Sequence, residues 1–373
     1  MEERINSMKF TIDKSILSEA LNNASKACAV RSTIPALEGV LLCLKNNDLT
    51  ITGYDLEIGI KCIISPEDAI EDGDIVVNAK VFGEMIRKMP SGLIEIFSEG
   101  DNVTIRSGSI VFDITGVSGD NYPNIPELKR DISFEVDEAV LKSMIRQTIH
   151  AVAVTDIKPV HMGSKFHIEN NVLSVVSVDG VRMAKRVEPV EYNDIDFVVP
   201  KKTLDEFMKM LSDDAEDKKV TVCIDRNQIC FSKDDYIIIS RLLEGNFIDY
   251  DKIMNFEEKS TATVNAADFS VALDRTLTLN TDKYKCPVIC TFDDGSLHIE
   301  IKTSIGKMNE DLPIKYTGEK IEIAFNARYM IDALKNSECD EVRIDFTGAL
   351  FPIRIRPLDD DSFVGIVLPV RSK

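Results

Sequence analysis

Three clusters of carboxylates are the residues best suited to chemistry: Asp213-Asp214, Asp234-Asp235 and Asp359-Asp360-Asp361. Paired carboxylates can hold divalent metal for phosphoryl transfer, so a metal-dependent nuclease or phosphotransferase is one reading of the chain. All three clusters sit at turns between apolar segments, where solvated carboxylates are expected. The four histidines, 150, 161, 167 and 298, lie in helix or strand patterns without metal-ligand spacing. Cys286, Cys290 and His298 lack a fourth ligand for zinc. No Walker loop, HExxH, GxSxG or GxGxxG motif occurs. The chain therefore reads as a non-enzyme, with no metal and no cofactor expected.

Two segments have the look of binding surface instead. One is Ser177-Val178-Asp179-Gly180-Val181-Arg182-Met183, an Asp-Gly turn beside an Arg and a Met. The other is Ile366-Val367-Leu368-Pro369-Val370-Arg371, an apolar strand ending in Pro close to the C-terminus. Simple strand packing explains either one; a peptide groove lined by apolar residues explains both.

The elements that must carry these segments repeat three times. Phe10–Leu21, Phe134–Val152 and Ala262–Leu273 each read as a strand end, an Asp or Asn (Asp13, Asp137, Asn265), then an amphipathic helix. A second helix follows in each copy, at Asn78–Met89, Pro200–Leu211 and Asn326–Ser337. Hairpins lie between, turning at Asn46-Asn47-Asp48, Asn170-Asn171 and Asp293-Asp294-Gly295. Each copy is thus expected to run β-α-β-β-β-α-β-β-β, an α+β unit dominated by strands. The predicted divisions are an extension over 1–7 and domains over 8–129, 130–258 and 259–373. A chain of 373 residues suits this number of domains.

Composition bounds the setting. The chain is 44% hydrophobic and 29% charged, as in soluble globular proteins. It contains no apolar run long enough for a membrane span, and MEERINSMKF lacks an apolar signal core. The eight cysteines form no CxxC pair and sit mostly in apolar strand patterns. They read as reduced core thiols of a cytoplasmic protein.

The net charge of −19 argues against a nucleic-acid partner until its distribution is considered. The helical segments 13–31, 80–88, 137–150, 201–209, 265–276 and 326–335 hold 14 Lys/Arg against 10 Asp/Glu. The remainder holds 30 against 53. Helices carry solvated basic residues in most proteins. Alternatively, the repeated helices share one weakly positive face that attracts duplex DNA without reading its bases, while the acidic remainder repels it.

At this point a family resemblance enters. The threefold repeat, MKFTIDKSIL, DIKPVHMG, SVDGVRMA, EGNFIDY and IVLPVR together resemble the bacterial DNA polymerase III beta subunit, from Met8 to Arg371. The resemblance implies three tandem domains of the DNA-clamp fold, with two chains closing head to tail into a ring around duplex DNA. Helices would line the ring and sheets would form its outside. It implies a homodimer that tethers the replicative polymerase's catalytic subunit. The clamp loader, and mismatch-repair and translesion proteins carrying short linear motifs, would be further partners. DNA contacts would fall at Arg31 and Lys80, at Thr155, Pro159 and Val160, and at Lys201 and Lys202. A groove for partner peptides would take Lys158, His161, Val178, Gly180, Arg182 and Met183 from the central third. Ile248, Lys252, Ile253, Asn326 and Tyr329 would continue it, with Pro352, Ile366, Leu368, Pro369 and Arg371. Such a groove suits a linear motif containing Leu and Phe. His161 stands where the family commonly has Leu, and Ile248 where it commonly has Pro. The implied dimer interface includes Phe112 and Ile114 against Leu279, with Glu310 nearby. Because the edge strand Ser109–Ile114 carries no basic residue, this contact is expected to be more apolar and less salt-sensitive than a charge-paired one.

Overall fold

The computed structural model describes residues 7–126, 128, 132–155, 158–213, 218–280 and 286–370. Seven α-helices lie among them: α1 (Lys14–Ala24), α2 (Ala79–Lys88), α3 (Glu138–Ile149), α4 (Lys201–Met208), α5 (Asp251–Met254), α6 (Ala266–Leu277) and α7 (Ala327–Asn336). No described helix is long and apolar enough to cross a membrane.

The predicted helix starts are real caps. Asp13 accepts a hydrogen bond from the Ser15 amide at 2.7 Å and Asn265 from Asp268 at 2.9 Å. Asn78 and Asn326 do the same for the second helices, from Val81 and Arg328. Each satisfies an amide that the helix itself leaves unpartnered. The apolar stripes are buried as expected: Leu17, Leu21 and Ala24 on α1, and Phe269, Ala272 and Leu273 on α6. Only the first part of the helical segment 13–31 is α-helix. A 3-10 turn, Ser25–Ala27, follows α1, and Arg31 stands in the loop beyond.

The strand count needs a correction. Each copy places at least four strands between its two helices, not three; in the central third these are Gly163–Glu169, Val172–Val178, Arg182–Pro189 and Ile195–Pro200. The first three form a meander, and the last returns beside the first. The hairpin turns are as predicted. Asn46, Asn47, Asn170 and Asn171 all adopt positive φ, which Asn tolerates better than other side-chain-bearing residues.

The cysteines are all free, but only Cys62, Cys223 and Cys290 are buried. The other five are half-buried: Cys43 and Cys230 on strands that alternate between core and outer face, and Cys28, Cys286 and Cys339 in connecting segments.

Contacts divide the chain into two compact units that do not follow the thirds of the sequence: residues 1–138 with 209–242, and 139–208 with 243–373. The sheets explain the division. In the first unit, a nine-stranded sheet joins Ile58–Ile64 to Tyr236–Arg241, pairing Tyr236 with Cys62 through Ser240 with Ile58. In the second, another nine-stranded sheet joins Arg182–Pro189 to Phe363–Val367, pairing Arg182 with Val367 through Arg186 with Phe363. Backbone hydrogen bonding therefore runs without interruption from one sequence third into the next. Each unit also carries a smaller sheet. The first has five strands and ends at Ile110–Thr115; the second has four and ends at Gly306–Pro313.

The second unit contains a fully buried carboxylate, Asp345, on the strand Glu341–Phe346. Arg343 and Arg354 donate to it at 2.7 and 2.9 Å, and the Arg356 guanidinium lies 3.2 Å away. Asp345→Ala would strand these cations beside a void. It should destabilise the protein by about 3–5 kcal/mol, readable from denaturant unfolding.

His150, just past α3, supplies a pH dependence. Burial, with Arg182 adding to it, pushes its pKa down to about 4. The folded state thus holds it neutral, whereas the unfolded chain protonates it at its ordinary value of 6.5. Its contribution is complete above 6.5 and is lost as pH falls toward about 4. Unfolding free energy measured across that window should fall with pH, and His150→Gln should flatten the slope.

Candidate functional site

Basic residues of the first unit converge on an open groove of about 840 Å³ between α1 and α2. Lys14, Lys80 and Arg87 line it, opposed by Glu19 and Glu38. Lys80 is exposed at the first turn of α2, because Asn78 caps the helix and Ala79 and Phe82 take its buried face. Arg31 is exposed in the loop after α1, next to Val30 on the groove wall. Of the sequence-derived DNA contacts, these two and Lys202, on α4, are exposed cations.

The others differ. Thr155 and Pro159 are exposed but uncharged. Lys201 is half-buried, with its ammonium 3.2 Å from Asp205 one turn along, so part of its charge is already neutralised. Val160 is a correction. It is 6% exposed and packs toward Gly245, which removes its side chain from any ligand's reach.

The second unit gathers several residues of the expected peptide groove into one apolar cluster. Val178, Met183 and Ile366, all buried, form one cluster with Val176, Tyr250 and Val364. Ile248 and Ile253 pack on this cluster while remaining half-exposed, together with Phe247, Met254 and Phe256. Strand pairing builds the floor: Met183 lies opposite Ile366 and Val178 opposite Met183. His161, 7% exposed, meets Phe247 edge-on at 5.3 Å. Burial holds its pKa below the ordinary value, helped by Lys158, so the groove meets it as neutral imidazole.

Polar groups rim one end. Arg182 stacks on Tyr329, 4.3 Å from the ring centroid, and is held by Asp179 at 2.8 Å and by Asp332. Asp179 also accepts from the amides of Val181 and Arg182, which fixes the turn containing exposed Gly180 at φ 93°. The Leu368 amide donates to Val181 at 2.9 Å and the Val370 amide to Ala324 at 2.7 Å. These bonds lay Leu368 and Pro369, both half-buried, alongside the turn. Lys252 is exposed and paired with Asp249 at 2.7 Å. Pro352 is half-buried at the start of the strand Ile353–Pro357. Asn326 serves first as the cap of α7. Arg371 lies outside the described residues.

Sequence reasoning missed Asp332, Phe247, Tyr250, Val364 and Phe256. Asp332 was findable, since it lies one helical turn after Tyr329 on α7. Phe247 lies in the loop 246–249, which matches 121–124 of the first copy, and Tyr250 and Phe256 follow it; none carries a periodic signal.

Of the implied interface residues, Phe112 and Ile114 are half-buried on the end strand Ile110–Thr115. Leu279 packs beneath Gly306. Glu310 is engaged within its own unit by Arg275, whose Nε donates at 2.9 Å.

Members of two acidic clusters are engaged in local bonds, while Asp214 of the third lies outside the described residues. Asp360 accepts from the Ser362 amide and hydroxyl, Asp361 pairs with Arg356 at 2.8 Å, and Asp234 with Lys218 at 3.5 Å. Among the described residues, no group of three His, Cys, Asp or Glu is placed to hold a metal ion.

Comparison with known proteins agrees with this architecture along the whole chain. Residues 8–126 match the family model of the DNA polymerase III beta subunit N-terminal domain, 135–249 its central domain and 252–371 its C-terminal domain. The beta sliding clamp of Halalkalibacterium halodurans is 35% identical, covering 98% of this chain and all of that protein. The beta sliding clamp of Bacillus subtilis is 32% identical with the same coverage. Among solved structures, the Bacillus subtilis DNA polymerase sliding clamp superposes with a TM-score of 0.93 at 32% identity, over 98% of this chain and all of that one. A putative DNA polymerase III beta subunit from Eubacterium rectale gives a TM-score of 0.93 at 33% identity, over 97% and 99%. The reading as a nuclease or phosphotransferase gains nothing from these matches. The chain belongs to the DNA polymerase III beta subunit family, the sliding clamps of DNA replication.

Proposed function

We propose that two copies of this chain close head to tail around duplex DNA and tether the replicative polymerase to it. The protein acts by binding and topology, without catalysis. It meets its DNA in the cytoplasm, is loaded by a clamp loader, and receives mismatch-repair and translesion proteins through the same apolar groove. Three domains, over 8–129, 130–258 and 259–373, are the units of this assembly.

The observation that carries the reading is the incompleteness of two sheets. Within one chain, two nine-stranded sheets are continuous, whereas the remaining two stop at five and four strands. The five-stranded sheet ends on Ile110–Thr115, the repeat counterpart of Tyr236–Arg241. The four-stranded sheet ends on Gly306–Pro313, the counterpart of Ile58–Ile64. Those counterparts pair with each other inside the chain. Pairing the two open ends between copies completes a third nine-stranded sheet and removes both exposed edges.

The internal pairing also sets the register. Ile237 lies opposite Lys61. Val111 holds Ile237's place in its hairpin, and Asn309 holds that of Lys61. Val111 of one copy should then face Asn309 of the next, Asp113 should face Lys307, and Phe112 should face Met308. Ile114 falls opposite Gly306, above Leu279. With Glu310 engaged by Arg275, one ion pair accompanies an apolar contact, which supports weak salt sensitivity of the dimer.

Two experiments test the proposal. A Val111→Cys, Asn309→Cys double variant should form an intermolecular disulfide on mild oxidation, since paired strands bring Cα atoms to about 4.5–5.5 Å. Either single variant should stay uncrosslinked; equal crosslinking by a single variant would refute the register. Second, protein loaded on nicked circular DNA should stay until the circle is linearised, then slide off its ends. Arg31→Glu should weaken retention more than Arg275→Glu, because Arg275 already spends its charge on Glu310. Retention insensitive to linearisation would refute encirclement.

A further inference from the structure

The apolar groove has a wall made from the short segment after the shared loop. Residues 251–256 present Ile253, Met254 and Phe256 to the cluster of Met183 and Ile366. By itself this segment has little to hold it. α5 is four residues long, and its internal bonds run only from the amides of Ile253, Met254 and Asn255 back to Tyr250 and Asp251. A helix this short is not stable unaided.

Beyond that packing and the ion pairs of Asp251 with Lys185 and of Lys252 with Asp249, one side chain from the sheet bonds the segment's backbone. Arg354 donates to the Met254 carbonyl at 3.1 Å and to the Phe256 carbonyl at 3.5 Å. Its guanidinium lies 4.6 Å from the centroid of the Phe256 ring and bonds Glu258 at 3.1 Å. Arg354 is itself aimed by Asp345, its cross-strand neighbour, at 2.9 Å. On the other side Arg354 pairs with Ile366, a floor residue of the groove. Cross-strand partners share a face of the sheet, so Met183, Ile366, Arg354 and Asp345 form one row.

We propose that Arg354, oriented by buried Asp345, is the positioning residue of the peptide groove: it clamps the wall at Met254 and Phe256 so that Ile253 meets the incoming apolar side chain in a preformed pocket. This rests on the groove reading given above. Arg354 does not touch the peptide. It lowers the ordering cost of binding by holding the wall in the bound geometry.

The sheet supplies its own control. Arg343 contacts the same Asp345 and the same Glu258, at 2.7 and 2.6 Å, but makes no bond to the 254–256 backbone. Arg354→Lys keeps the charge and loses the forked donation; Arg343→Lys perturbs the carboxylate network equally and leaves the wall alone. The probe is a fluorescein-labelled synthetic peptide containing a Leu-Phe pair, read by anisotropy with the full-length protein.

Arg354→Lys should raise Kd about ten-fold and speed amide hydrogen exchange at 253–256. Arg343→Lys should change Kd by less than about two-fold and leave that exchange unaltered. Phe256→Leu, which keeps an apolar side chain but removes the cation–π contact, should raise Kd about three-fold. Wild-type-like binding by Arg354→Lys or by Phe256→Leu overturns the assignment, and so does an equal loss in Arg343→Lys. Failure of the wild-type protein to bind the peptide overturns the groove reading, and this assignment with it.

Discussion

Backbone hydrogen bonding at sheet edges is the constraint on which the rest of this molecule depends. An edge strand exposes a row of amides and carbonyls that pair with whatever strand is offered. Here the chain offers its own. Tyr236–Arg241 closes on Ile58–Ile64, and Phe363–Val367 closes on Arg182–Pro189. Both pairings join segments far apart in sequence, so the compact units cut across the central third. The groove is a by-product of the second pairing. Met183 and Ile366 come face to face only because the last strand of the chain is laid beside Arg182–Pro189.

The first pairing could have made a groove of the same kind, and the side chains show why it did not. Gly59 occupies in the first unit the hairpin position that Met183 occupies in the second, opposite Tyr54 as Met183 is opposite Val178. With no side chain there, the loop that follows Tyr122 drops in. Ile125 Cδ1 comes within 2.8 Å of where a Cβ on Gly59 would stand. Tyr122 anchors that loop, its hydroxyl donating to Thr52 O at 3.2 Å. The equivalent residue in the second unit is Phe247, which has no hydroxyl, and Met183 fills the space the loop would take. In the second unit Tyr250 is buried beside Met183, while Ile248 and Ile253 pack on the same cluster half-exposed.

These differences mark what was legible in the sequence. Repetition, helix caps and Asn-containing hairpin turns act within a few residues, so Asp13, Asn78, Asn265 and the pair Asn46-Asn47 could be read locally. The apolar cluster of Val178, Met183 and Ile366 could be anticipated from Ser177–Met183 and Ile366–Leu368 because each carries its own pattern. What escaped were relations at a distance. Nothing near Val160 signals that Gly245 will cover it. Nothing near Asp345 signals that Arg343, Arg354 and Arg356 will converge on it. The extra strand in each copy was missed for a related reason. Ile58–Ile64 is buried mid-sheet on both sides of its ladder, so its alternation is weak and it blended into the preceding hairpin.

Charge follows the same logic of internal commitment. Many cations that the helices present are matched by a carboxylate: Lys201 by Asp205, Arg275 by Glu310, Arg146 by Glu338. Arg182, at the groove, is held by two. The groove between α1 and α2, with Lys14, Lys80 and Arg87 against two glutamates, keeps a modest positive excess in a chain whose net charge is −19. A protein that releases few counterions binds duplex weakly, with a shallow dependence on salt. For a clamp that weakness is functional. On the proposed closure at the sheet edges, retention on DNA would come from encirclement, and the basic residues would need only to keep the duplex off acidic walls while allowing it to slide. Stronger helix charge would add grip that closure makes unnecessary and that movement along DNA would have to overcome.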